Sequence, residues 1–90
     1  MSDDSEPVGL EFPCRFPVKV MGPAREDFES IVLEIVRRHA GDVPADRVTR
    51  RQSSKGRYLS LTVDIDATSR EQLDDLYRAL SSSPHVKVVL

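Results

Sequence analysis

The chain has 90 residues, 39% of them hydrophobic and 31% charged, with a formal net charge of −2. That length makes one domain with a small core, and that charge balance marks neither nucleic acid nor a membrane surface as a partner. A single cysteine excludes an internal disulfide, and no run approaches the roughly 18 apolar residues of a membrane span.

The start, Met1-Ser2-Asp3-Asp4-Ser5-Glu6-Pro7, is acidic and lacks the basic opening and apolar centre of a secretion signal. With the lone cysteine, this predicts a cytoplasmic protein. Residues 1–11 carry no periodicity and are expected to form a flexible acidic arm ahead of one domain over 12–90.

From Arg15 to Met21 the residues alternate: Phe16, Val18 and Val20 one way, Arg15, Pro17, Lys19 and Met21 the other. That is the period-2 pattern of a half-buried strand. Gly22-Pro23 ends it, and Pro23 suits the first position of a helix. Phe28, Ile31, Val32, Ile35 and Val36 fall at helical spacing on one stripe. Arg37, Arg38 and His39 then favour the carbonyl end of the helix, and Gly41 suits a left-handed stop.

Residues 41–46 read as a loop and Arg47–Gln52 as a weak strand with Val48 its only strong apolar residue, which belongs at a sheet edge. Ser53-Ser54-Lys55-Gly56 is a hairpin turn, with Gly56 supplying positive φ. The next strand alternates well, Leu59, Leu61, Val63 and Ile65 against Tyr58, Ser60, Thr62 and Asp64. Thr68-Ser69-Arg70-Glu71 matches a capping box opening at Thr68. Leu73, Leu76, Tyr77 and Leu80 make the stripe of the second helix, which Ser81-Ser82-Ser83-Pro84 ends. A last strand over His85–Leu90 carries Val86, Val88 and Leu90.

The order β-α-β-β-α-β predicts an α+β fold, the ferredoxin-like βαββαβ sandwich: a four-stranded antiparallel sheet in the order 4-1-3-2 with two helices on one face. The other face stays open. Fold alone does not choose a function for it.

Several segments carry a resemblance. Leu10-Glu11-Phe12-Pro13, Val18-Lys19-Val20-Met21-Gly22, Ser53-Ser54-Lys55-Gly56-Arg57-Tyr58 and the Val86–Leu90 ending resemble signature segments of the YbeD-like family of small bacterial proteins. The resemblance implies a fold like that of ACT-type regulatory domains. It carries over no catalytic residues, and it implies a regulatory role near lipoate attachment.

The sharpest chemical feature is the stretch from Arg47 to Arg57, which holds Arg47, Arg50, Arg51, Lys55 and Arg57 and no acid. A phosphate, carboxylate or nucleic-acid backbone fits it, with Arg50, Arg51, Lys55 and Arg57 giving charge and Ser53 and Ser54 hydrogen bonds. The competing explanation is an edge strand kept from pairing by its charge. The open face offers Lys19, Met21, Tyr58, Ser60 and Thr62 to a partner. One aromatic there, Tyr58, is too few for the base stacking of RNA-recognition sheets. Strand 4 is short and apolar, so a homodimer is possible through it.

No catalytic constellation is expected. Cys14 has no assignable base and no second cysteine, so neither nucleophilic catalysis nor metal transfer fits. His39 and His85 stand apart without a carboxylate cluster, and Asp66 reads as a turn residue. An acylphosphatase loop is not supported either, since Pro23 and Ala24 precede Arg25. The reading is a non-catalytic regulatory or adaptor domain without cofactor or metal, binding a small anionic metabolite or a partner protein. The alternative is a weak nucleic-acid-binding module using the same 47–57 hairpin.

Overall fold

Alternating side chains fix which face of each strand is buried, and the strands then find one register. The computed structural model describes residues 11–90, so all of the expected acidic arm but Glu11 lies outside the described residues. Strand β1 spans Cys14–Pro23, helix α1 Phe28–Ala40, strand β2 Val48–Gln52, strand β3 Tyr58–Ala67, helix α2 Arg70–Ser82 and strand β4 Val88–Val89. A single 3-10 turn, Ala45–Arg47, leads into β2. The sheet is antiparallel in the order β2-β3-β1-β4, which is the expected order read from the other edge.

Val18 and Val20 of β1 and Leu61, Val63 and Ile65 of β3 are buried on one face of the sheet. Phe28, Val32 and Val36 of α1 and Leu73, Leu76 and Leu80 of α2 join them in one cluster, so both helices cover that face. Burying an aliphatic or aromatic side chain of this kind gains about 1.5–3 kcal/mol relative to exposure, and these residues supply most of the driving force.

Several boundaries differ from the sequence reading: β1 starts at Cys14, and β2 starts at Val48 because Arg47 belongs to the 3-10 turn. Pro23 closes β1 opposite Tyr58 instead of opening α1, because the pairing continues through the Ala24 amide, which donates to the Arg57 carbonyl. The helix therefore starts later, at Phe28. Asp27 sits at its cap and is engaged by the Arg25 guanidinium. The cap of α2 is Ser69, not Thr68. The Ser69 hydroxyl accepts from the Gln72 amide N–H while Gln72 Oε1 accepts from the Thr68 N–H at 2.7 Å, so the box is Ser69 to Gln72, shifted by one residue. The same Gln72 side chain donates to the His39 carbonyl, tying the end of α1 to the start of α2.

The last strand is confined to two residues. The Lys87 N–H donates to the Met21 carbonyl although Val88 is the register partner of Met21. Two residues thus oppose one, the geometry of a β-bulge. The bulge turns Val89 toward the core and leaves Val88 and Leu90 exposed. Tyr77 packs on the core and its hydroxyl donates to the main-chain oxygen of Leu90 at 2.9 Å, which pins this short strand.

Gly41 has φ of +81° with ψ of −178°, so it ends α1 in an extended positive-φ conformation open to glycine and not in the αL stop expected there, and its N–H donates to the Arg37 carbonyl. Gly22 is needed for another reason. A Cβ on Gly22 would overlap the His85 carbonyl oxygen and the Phe28 ring.

Candidate functional site

The basic stretch does not act as one cluster. In β2, Val48 is buried, so Arg50 shares its face and points to the helices, while Thr49 and Arg51 lie on the open face. Arg50 Nε donates to Glu29 Oε1 at 2.8 Å, and its Nη2 donates to the other carboxylate oxygen, joining the sheet edge to the first turn of α1. That hydrogen bond holds the Glu29 carboxyl below the usual glutamate range. Arg47 is likewise engaged, by Asp66 at 3.3 Å, beside Arg15. Arg50 is thus a structural contact in this fold and is separated from Arg51 by the thickness of the sheet.

The other cations of the hairpin have no such partners. Among the described residues Arg51, Lys55 and Arg57 make no ion pair, and neither do Lys19 and Lys87. By contrast Arg15, Arg25, Arg37, Arg38, Arg47, Arg50 and Arg78 each hold a carboxylate. The Ser53 hydroxyl accepts from the Arg57 and Tyr58 amides, so it shapes the turn. Gly56 takes φ of +70° at the tip, and Ser54 and Lys55 are exposed beside it.

The strand register shows how these groups are laid out. One row across the open face reads Arg51, Ser60, Met21, Val88. The next row reads Thr49, Thr62, Lys19, and then Leu90, which exchanges two main-chain hydrogen bonds with Lys19. Toward the hairpin, Tyr58 pairs with Pro23. The bulge brings Lys87 onto this face, and its ammonium stands 5.9 Å from the centre of the Tyr58 ring. Tyr58, Val88 and Leu90 are the large apolar side chains left exposed among the described residues. The hairpin half of the face is therefore an apolar and hydroxyl-bearing centre between unpaired cations. The far half, around Asp66, is neutralised by Arg15 and Arg47.

Lys19, Met21, Tyr58, Ser60 and Thr62, expected on the open face, all lie there. Arg51 adjoins them, Lys55 and Arg57 belong to the turn at the hairpin end, and Arg50 lies on the other face. Sequence reading missed Lys87 and Val88, because only the bulge sets which residues of the last strand face out. No group of three or more His, Cys, Asp or Glu residues able to hold a metal ion occurs among the described residues, and no described helix is long and apolar enough to cross a membrane. Cys14 is partly buried against the core. A surface depression lies between α1 and the loop after it, lined by Leu33, Glu34, Arg37 and Val43 among others, away from the hairpin.

The comparisons with known proteins are consistent with one another. Residues 8–90 match the model of the protein family of unknown function DUF493. A UPF0250 protein of Paraburkholderia phytofirmans is 54% identical over 81 residues, covering 90% of this chain and 91% of the relative. Another from Neisseria gonorrhoeae is also 54% identical, over 90% of this chain and 89% of its own length. A third, from Chromobacterium violaceum, is 48% identical over the full length of both. The chain belongs to this DUF493 family, the YbeD-like group of small bacterial proteins.

Proposed function

We propose that this is a non-catalytic binding domain of regulatory or adaptor type, which takes an anionic partner on the hairpin half of its open sheet face. One observation carries the reading. The cations without carboxylate partners among the described residues, Lys19, Arg51, Lys55, Arg57 and Lys87, belong to that one face and the turn at its end. Elsewhere Arg15, Arg25, Arg37, Arg38, Arg47, Arg50 and Arg78 each hold a carboxylate. Exposed ion pairs are individually weak, so this pattern matters for where charge is left available more than for stability. A role beside lipoate attachment, as the family resemblance implies, would be exercised through this surface.

The test is a titration followed by amide resonances of the full chain. Poly-glutamate is expected to shift the amides of residues 51–60 and 87–88, and Arg51→Glu/Arg57→Glu is expected to abolish the shifts. Shifts that survive in that variant, or that appear elsewhere, would overturn the reading. A single-stranded oligonucleotide in a parallel series gives the nucleic-acid alternative its chance. Binding through a phosphate backbone weakens by orders of magnitude between about 50 and 200 mM salt when six or more phosphates are held. The family and the fold do not depend on the result.

A further inference from the structure

We propose that the occupant of this face is an extended peptide segment of a partner protein, crossing the strands, with the pattern acidic–x–apolar–x–acidic. This rests on the reading above and makes it specific. The row Arg51, Ser60, Met21, Val88 spans four strands. Three strand spacings of about 4.8 Å make about 14 Å. An extended chain rises about 3.3 Å per residue, so residues four apart stand about 13 Å apart and point the same way. Two carboxylates at that separation meet Arg51 of β2 at one side and Lys87, beside Val88 of β4, at the other, with Lys19 of β1 one row away. The residue midway points at the same face and lands over Met21 and Ser60, between the exposed Tyr58 and Val88. An apolar side chain there covers apolar surface that water now wets.

Competing occupants fit the face less well. Small-molecule sites are concave and bury most of their ligand, whereas this face is a row of paired strand residues with no wall. Stacked bases need aromatic platforms; Tyr58 is alone, and the Lys87 ammonium already stands near its ring. Charge complementarity thus selects an acidic peptide with one apolar anchor.

The experiment uses the full chain and three fluorescein-labelled ten-residue peptides that centre on Glu-Ser-Leu-Ser-Glu, Gln-Ser-Leu-Ser-Gln and Glu-Ser-Ser-Ser-Glu. Fluorescence polarisation is expected to show saturable binding of the first. The second and third should bind at least tenfold more weakly, and Arg51→Glu/Lys87→Glu should lose binding of the first by at least tenfold. Equal binding of the glutamine peptide, an unaffected variant, or no binding at millimolar peptide overturns the proposal. So does a chain found dimeric by sedimentation whose face refuses the peptide, since a second copy then occupies it. Failure here with poly-glutamate shifts still present removes only the peptide pattern. Failure of both removes the anion-binding reading as well.

Discussion

The covered face of the sheet and the hairpin half of its open face treat positive charge in opposite ways. On the covered side Arg50, one residue from Arg51 in sequence, is locked to Glu29 at the rim of the helix layer. On the open side Arg51 faces Ser60 and Met21 with no carboxylate in reach among the described residues. The same β2 strand thus carries one arginine that serves the fold and one that does not. Adjacent like-charged residues on opposite faces can only be told apart once strand phase is known, and their conservation or mutation should be interpreted separately.

Substitutions can break or sharpen this comparison. The largest effect is expected on the covered side: Leu76→Ala removes a fully buried side chain and should cost about 2–5 kcal/mol in denaturant unfolding. Gly22→Ala drives a methyl group into the Phe28 ring and the His85 carbonyl; overpacking of this kind costs roughly 1–3 kcal/mol, occasionally more, read as a fall in melting temperature. Tyr77→Phe deletes the hydrogen bond that holds Leu90 and should cost about 0.5–1.5 kcal/mol, with faster amide exchange in residues 87–90. A smaller effect is expected for Glu29→Gln, and it depends on pH. The Glu29 carboxyl is held below its usual range by Arg50. Its contribution is therefore present above the unfolded-state value and is lost as the pH falls through the folded one. Wild type should show this acid loss and Glu29→Gln should not, in melts taken across the acid range. Smallest on stability is Arg51→Glu/Arg57→Glu, within about 0.5 kcal/mol of wild type, although it should abolish anion binding. A large stability loss there would erase the distinction between the two faces.

The element order and the core were legible because alternation and helical spacing are strong in this chain. Val18, Val20, Leu61, Val63 and Ile65 are buried where period 2 placed them, and Phe28, Val32 and Val36 where the helical stripe placed them. Ends were harder. Pro23 carries the dihedral angle of a strand edge as readily as that of a first helical turn, and only its pairing with Tyr58 decides. Ser69 and Thr68 are both good caps, and the Gln72 side chain selects between them. The site was half legible. Local sequence shows a basic stretch but not that Glu29, distant in the chain, claims Arg50, nor that a bulge delivers Lys87 to the same face as Tyr58.

The pairing of β1 with β3 also bears on how the chain reaches this structure. Its register runs from Pro23 with Tyr58 to Cys14 with Ala67, so the central ladder joins segments far apart in sequence. β2 and β3, by contrast, meet across one tight turn, with Gln52 opposite Leu59. Short loops close at less entropic cost and sooner than long ones. The hairpin is therefore expected to form early, with β1 docking on its free edge. Until β1 docks, Leu61, Val63 and Ile65 face water on a strand whose inner edge is bare. The unpaired charges of Arg51, Lys55 and Arg57 are in place on that nascent hairpin from the start, where like charge keeps two unfinished copies from pairing with each other.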